Sequence, residues 1–96
     1  MIVDRVGLFV HVNEIFASIL GFLVEEMIGS SGYKYLTSEN RNIMASKYAE
    51  RTEGKSDKYQ ISFKHKNGND IPVIISSKPI IEDGEFIGSV VLVSRI

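Results

Sequence analysis

The last third of the chain alternates between apolar and polar residues, a period of two that is typical of β-strands. Tyr59, Ile61 and Phe63 occupy every second position of one segment, with polar residues between them. Two turn-forming pairs, Asn67–Gly68 and Asp83–Gly84, then separate this segment from two further apolar segments. The pattern predicts three antiparallel strands joined by two hairpins.

The loop at Asn67–Gly68 decides which residues share a face of this sheet. A two-residue turn would place Phe63 beside Pro72, whereas a three-residue loop with a bulge pairs His65 with Asn69. Only the second register buries a uniformly apolar face, so we predict that register. The same treatment of Asp83–Gly84 extends the inner face to the last strand. The inner face then carries Tyr59, Ile61, Phe63, Ile71, Val73, Ile75, Ser89, Val91 and Val93.

The opposite, outer face of the same strands is not uniformly polar. It carries Ile74, Val90 and Leu92, three branched apolar residues on adjacent strands. Large contiguous apolar patches are rare on the surfaces of soluble monomers. We therefore expect this face to be an interface, covered by a flanking helix or by a second copy of the domain in a homodimer.

Shorter elements occupy the first part of the chain. Residues 2–3 and 8–12 have the composition of two strands around a turn at residues 4–7. Asn13 is a good N-cap, and apolar residues follow it at helical spacing until Gly21, a typical helix C-terminus. These signals predict a hairpin followed by a short helix.

A longer helix is predicted in the middle of the chain. Residues 24–29 indicate a single helical turn, and residues 30–36 indicate an irregular connection. Thr37 or Ser38 then provides an N-cap, and Gly54 ends the helix. The apolar stripe of this helix consists of Ile43, Met44 and Tyr48.

Composition narrows the range of functions. The 96 residues make one domain, residues 1–96, and 11 basic against 12 acidic residues give a net charge of −1. This balance favours neither a nucleic-acid partner nor direct membrane contact. The absence of cysteine excludes disulfides, thiolate metal sites and a cysteine nucleophile. No apolar run reaches the roughly 20 residues of a membrane span. The lack of a secretory signal favours a cytoplasmic domain, whose parent protein could still be membrane-anchored.

The order of these elements and several short motifs resemble the PAS family of sensory domains. The resemblance covers essentially the whole chain, and its strength lies in the order and spacing of motifs that are individually weak. The matching motifs are Asp4–Phe22, Glu25–Gly29, Lys66–Gly68, Pro79–Ile80, Asp83–Gly84 and Gly88. The chain departs from the family at Ser94–Ile96, where relatives often carry Asp-Ile-Thr before a signalling helix.

The resemblance implies a fold and a function. The expected fold is α+β, a five-stranded antiparallel sheet of order 2-1-5-4-3 with short helices and one longer helix on its concave face. The expected function is a sensory module, a fragment of a larger signalling protein such as a histidine kinase, with the output domain in the same polypeptide. The alternative is a ligand-free interaction or dimerisation module. We expect no enzymatic activity, because no catalytic constellation is present.

The resemblance also implies a small, mostly apolar cavity between sheet and long helix that binds a small organic ligand. We expect it to be lined by Phe9, His11, Ile28, Tyr35, Ile43, Met44, Tyr48, Ile61, Phe63, Val73, Ile75, Val91 and Val93.

The residues of this chain disfavour the cofactors that related sensory domains bind. A covalent flavin adduct is excluded, because Gly32 stands where light-sensing members carry cysteine. Val93 replaces their flavin-reading glutamine, which disfavours non-adduct flavin, and the long helix lacks the histidine that haem-binding members use. We expect no cofactor and no metal.

Three polar residues leave alternatives open. His11 fits a hydrogen-bonded core residue, a polar ligand contact or a metal ligand. His65 fits an exposed residue at the end of a strand. Arg51 fits a solvated charge at the end of the long helix, or a clamp for a ligand carboxylate.

Overall fold

The computed structural model describes residues 1–96, which form one five-stranded antiparallel sheet with helices packed on one face. The strand order is β2-β1-β5-β4-β3, so the predicted α+β fold and strand order are confirmed. The elements in chain order are β1 (Ile2–Asp4), β2 (Phe9–His11), α1 (Glu14–Leu20), α2 (Val24–Met27), a 3₁₀ helix (Gly32–Tyr35), α3 (Ser38–Thr52), β3 (Asp57–Lys64), β4 (Asp70–Glu82) and β5 (Glu85–Arg95).

The helices begin and end at the residues that the capping signals indicate. The side chain of Asn13 accepts a hydrogen bond of 2.7 Å from the backbone N–H of Ile15, and Gly21 ends α1 with a left-handed φ of 82°. Thr37 caps α3. The connection that was predicted to be irregular contains the 3₁₀ helix, whose N-cap is Ser31.

The β3–β4 hairpin has the predicted register. The backbone N–H of His65 donates to the carbonyl of Asn69 at 2.7 Å, and Phe63 lies opposite Ile71. The alternation of the two strands therefore places one apolar face inward, with Val73 at its fully buried centre.

The β4–β5 hairpin has the predicted inner face, but its turn differs from the prediction. Glu82 pairs with Glu85, so Asp83–Gly84 is a two-residue turn and the predicted three-residue loop is wrong. The extra residue lies within β5 instead, because Ile80 pairs with Gly88 while Ile81 pairs with Phe86, which makes a β-bulge. Beyond the bulge the strand returns to the predicted register, and its inner positions are Ser89, Val91 and Val93.

The core lies between the inner face of the sheet and the helices. The ring of Phe16 on α1 meets Phe63 of β3 edge-to-face at 5.3 Å, and Leu20 and Met27 are fully buried beside them. On α3, the side-chain oxygen of Asn40 accepts a hydrogen bond from the backbone N–H of Ser62 and ties the helix to the edge strand. None of the helices has the length and hydropathy that a membrane span requires.

The outer face leaves apolar side chains in water. Leu92 is 64% exposed and Val90 41% exposed, whereas Ile74 between them and the edge is half-buried. Ile2, which pairs with Val90, extends this apolar patch onto β1.

Candidate functional site

A small cavity of about 40 Å³ lies between α3 and the inner face of the sheet. Its walls are mostly apolar, and its polar side chains come from the 3₁₀ helix, the last turns of α3, β3 and β4. The predicted residues that line it are Phe9, Met44, Tyr48, Phe63, Ile75 and Val91. Lining residues outside the predicted set are Met1, Val3, Gly7, Gly32, Tyr33, Arg51, Tyr59 and Ser77.

Four other predicted lining residues lie elsewhere in the interior or near its rim. Tyr35, Ile61 and Val73 are buried in the core next to the cavity rather than on its wall. Val93 is half-buried and borders a separate surface groove beside α1.

His11 faces solvent, so its predicted place in the cavity is wrong. Val3 pairs with Phe9 while the neighbouring Ile2 pairs with His11, which leaves Val10 as an extra residue on β2. This bulge shifts the alternation by one position. The inward position after Phe9 is consequently taken by Val12, which is buried, and His11 turns outward.

Ile28 and Ile43 are also wrong as cavity residues, with exposures of 42% and 38%. Ile28 follows the last residue of α2, where Met27 takes the buried position. On α3 the side chains that meet the sheet or the cavity are Asn40, Met44, Tyr48 and Arg51, at helical spacing. Ile43 lies beside this stripe.

Arg51 and Asp57 form a buried ion pair at one end of the cavity. The Nε of Arg51 lies 3.2 Å from the Oδ2 of Asp57, and their side chains are 4% and 2% exposed. The expectation of a solvated helix-end charge is therefore wrong. The guanidinium is not a free carboxylate clamp either, because the first residue of β3 already neutralises it.

Two hydroxyl groups complete what we call the polar end of the cavity, which consists of Arg51, Asp57, Tyr59 and Ser77. Ser77 pairs directly with Asp57 across the β3–β4 ladder, and Tyr59 is two residues farther along β3, so the three share the inner face. The Tyr59 hydroxyl, the Ser77 hydroxyl and the Oδ1 of Asp57 are buried and have no hydrogen-bond partner in the protein. Such groups are rare in folded proteins, and each has a free-energy cost.

The polar end carries no net charge, because Arg51 and Asp57 neutralise each other. Burial raises the pKa of Tyr59 to about 12, although nearby Arg51 acts in the opposite direction. Burial likewise raises the pKa values of Tyr33 and Tyr48. At neutral pH these side chains are therefore uncharged hydroxyls that can both donate and accept hydrogen bonds.

A comparison with known protein families identifies the family of this domain. A family model described as PAS domain matches residues 1–95, nearly the whole chain. The chain belongs to the PAS domain family. The sequence resemblance noted above is thereby confirmed.

Individual relatives of this PAS domain come from different kinds of signalling protein. Basic helix-loop-helix ARNT-like protein 2 of Gallus gallus is 34% identical over 58 residues, which are 60% of this chain and only 9% of that protein's length. The similar solved structures are 20% identical to this chain or less, so they establish the fold alone.

Three solved structures show this likeness. Drosophila melanogaster Cycle PAS-B with bound ethylene glycol has a TM-score of 0.89 and 17% identity, covering 99% of this chain and 96% of that one. The PAS domain of a LuxR-family transcriptional regulator from Burkholderia thailandensis, in complex with ethanol, has a TM-score of 0.80 and 14% identity, covering 99% and 87%. A domain of a sensor histidine kinase/response regulator from Geobacter sulfurreducens has a TM-score of 0.73 and 20% identity, covering 92% and 76%.

The cavity of this PAS domain offers little to a large cofactor. At about 40 Å³ it has space for about three water-sized groups, far less than a flavin or porphyrin ring system occupies. Gly32 lies on its wall, where a Cβ atom would stand 3.7 Å from both the Met44 sulfur and the Phe9 ring. No three His, Asp or Glu side chains cluster in a way that could hold a metal ion.

His65, the second histidine, is half-buried rather than exposed. Its ring packs over Gly21 at the end of α1, so close that a Cβ at Gly21 would lie 2.6 Å from the ring. Its Nδ1 accepts a hydrogen bond of 3.0 Å from the backbone N–H of Asn67, so the ring belongs to the hairpin turn. It has no contact with the cavity.

Proposed function

We propose that this PAS domain is a sensory module that binds a small ligand in its cavity. The observation that carries the proposal is the pair of buried hydroxyls, Tyr59 and Ser77, that border the cavity without partners. A ligand with one polar group would satisfy them, and the apolar remainder of the wall would exclude water. Two PAS domains of similar fold hold ethylene glycol and ethanol, which are molecules of this size.

The state of the cavity passes to the outer face through β4 in this proposal. Ser77 points inward, and its neighbours Ser76 and Lys78 pair with Leu92 and Val90 on β5, whose side chains point outward. A shift of β4 around a ligand therefore moves the outer apolar patch directly. The output domain, in the same polypeptide, is a histidine kinase or another regulator.

An NMR titration with ethylene glycol tests ligand binding. We expect saturable chemical-shift changes at the Met44 methyl and the Ser77 amide, because both residues line the cavity. Gly32→Leu places a side chain between Met44 and Phe9 and should abolish these changes. The matched control is Ser46→Leu on the exposed side of α3, which should titrate like the wild type. Non-saturable shifts in the wild type would refute the proposal.

A second candidate function is a ligand-free homodimerisation module. The outer apolar patch favours it, since Leu92 and Val90 are exposed on the middle of the sheet. Leu92→Arg should then shift sedimentation from dimer to monomer. Ile81→Arg is the control, because Ile81 is also exposed and apolar but lies near the tip of the β4–β5 hairpin. Identical sedimentation of wild type and Leu92→Arg at high concentration would exclude dimerisation through this patch.

A further inference from the structure

The charges at the polar end of the cavity cancel. Arg51 is the only fully charged side chain on its wall, and its guanidinium is already paired with Asp57 at 3.2 Å. The other titratable groups of the wall residues are tyrosine hydroxyls, whose pKa values are raised by burial, and the α-amino group of Met1, which donates a hydrogen bond of 2.8 Å to the carbonyl of Val91. A ligand group that reaches the polar end therefore meets no net charge.

Building on the ligand-sensing function proposed above, we infer that the cavity selects small neutral molecules with a hydroxyl, carbonyl or amide group and rejects carboxylates. The Tyr59 and Ser77 hydroxyls are the recognition groups, and the Arg51–Asp57 pair sets the charge preference. The pair acts on the ligand through its charge balance, so these two residues are positioning residues.

The rejection of anions follows from desolvation. A carboxylate loses its hydration on entry, and this loss is large unless a free cation compensates it. The single positive charge of Arg51 is already balanced by Asp57, to which it donates through Nε, so a ligand carboxylate would add a negative charge that no cation compensates. The Oδ1 of Asp57 is itself buried without a donor, so a ligand carboxylate would add a second uncompensated negative group beside it.

The acceptance of neutral polar molecules follows from the same geometry. Each free hydroxyl can donate one hydrogen bond and accept others. A ligand carbonyl or hydroxyl gains these bonds without breaking any bond inside the protein, because neither hydroxyl has a partner there. With about 40 Å³ available, the ligand has about three or four non-hydrogen atoms.

Acetamide and acetate test this inference, because they have the same shape and number of non-hydrogen atoms and differ in charge. Each is titrated into the wild-type domain at neutral pH and constant ionic strength, and the shifts of Met44 and Ser77 are followed by NMR. We expect saturable binding of acetamide and a dissociation constant for acetate at least about tenfold higher. Acetate binding as tight as acetamide would overturn the inference. If ethylene glycol and both probes fail to bind, the proposed function itself fails.

Asp57→Asn tests the role of the ion pair. Without the aspartate charge Arg51 is free, so acetate affinity should rise at least about tenfold while acetamide affinity changes little. An unchanged preference in the folded variant would overturn the role of the pair. Because a buried charge without its partner can prevent folding, the double variant Arg51→Gln, Asp57→Asn is also measured. It should still prefer acetamide, and acetate binding equal to acetamide in it would contradict a neutral site.

The hydroxyls are tested by removal. Tyr59→Phe and Ser77→Ala should each weaken acetamide binding by about tenfold, the effect of one lost hydrogen bond. Ser62→Ala on the same sheet, away from the cavity wall, is the control and should bind acetamide like the wild type. Unchanged affinity in both cavity variants would show that these hydroxyls are not the recognition groups.

Discussion

Tyr59→Phe should make the ligand-free domain more stable, although most substitutions in a core do the opposite. The variant removes one hydroxyl oxygen that is buried without a hydrogen-bond partner and keeps the ring in place. A buried unsatisfied polar group costs about 1–3 kcal/mol, so we expect the free energy of unfolding to rise by about 1 kcal/mol or more. For a domain of this size each kcal/mol corresponds to roughly 4–8 °C in Tm.

Tyr35→Phe is the matched control for this prediction. Tyr35 is also a core tyrosine, but its hydroxyl lies 2.9 Å from the Oγ of Ser30 in a hydrogen bond. Its removal leaves Ser30 with less hydrogen bonding and should lower stability by about 0.5–1.5 kcal/mol. Thermal and urea unfolding of both variants without ligand give the two signs directly. If Tyr59→Phe loses as much stability as Tyr35→Phe, the Tyr59 hydroxyl has a partner and the ligand argument built on it is refuted.

The remaining predictions concern pH, a strand contact and a helix cap. The pKa of Tyr59 is raised from 10.0 to about 12, so the folded state keeps a proton that the unfolded chain releases. The contribution of Tyr59 to the free energy of unfolding is therefore present below pH 10 and is lost between about pH 10 and 12. In urea titrations over that range, the free energy of unfolding should fall less for Tyr59→Phe than for the wild type. Gly88→Ala should cost at least about 2 kcal/mol by thermal unfolding, because its Cβ would collide with the Val3 carbonyl; a smaller loss would show that β1 yields easily. Asn13→Ala should lower the free energy of unfolding, measured by urea titration, by about 1 kcal/mol through loss of the α1 cap, and no loss would mean that water replaces it.

The sheet could be predicted because its signals are local. Alternation from Tyr59 to Phe63 and the glycine at position 68 together specify one register of β3–β4. At the β4–β5 hairpin the turn was predicted incorrectly, yet the inner face was right, since burial of Val91 requires the same register whichever place holds the extra residue.

The cavity could be predicted only in part, because its chemistry depends on contacts between distant elements. The bulge at Val10, which turns His11 outward, cannot be recognised from the pattern of a five-residue strand. The partner of Arg51 lies across a loop, where ordinary helix spacing rules give no indication. Tyr59 was assigned to the inner face, but only the packing around it shows that its hydroxyl lacks a partner.

The bulge in β5 has a practical consequence for building a reporter from this domain. It separates the hairpin tip, Ile81 to Phe86, from the register that fixes Ser77 and Ser89. A change in loop length at the tip should consequently leave the strand register beside the cavity unchanged. A fluorescent protein or epitope inserted between Asp83 and Gly84 should leave ligand recognition intact.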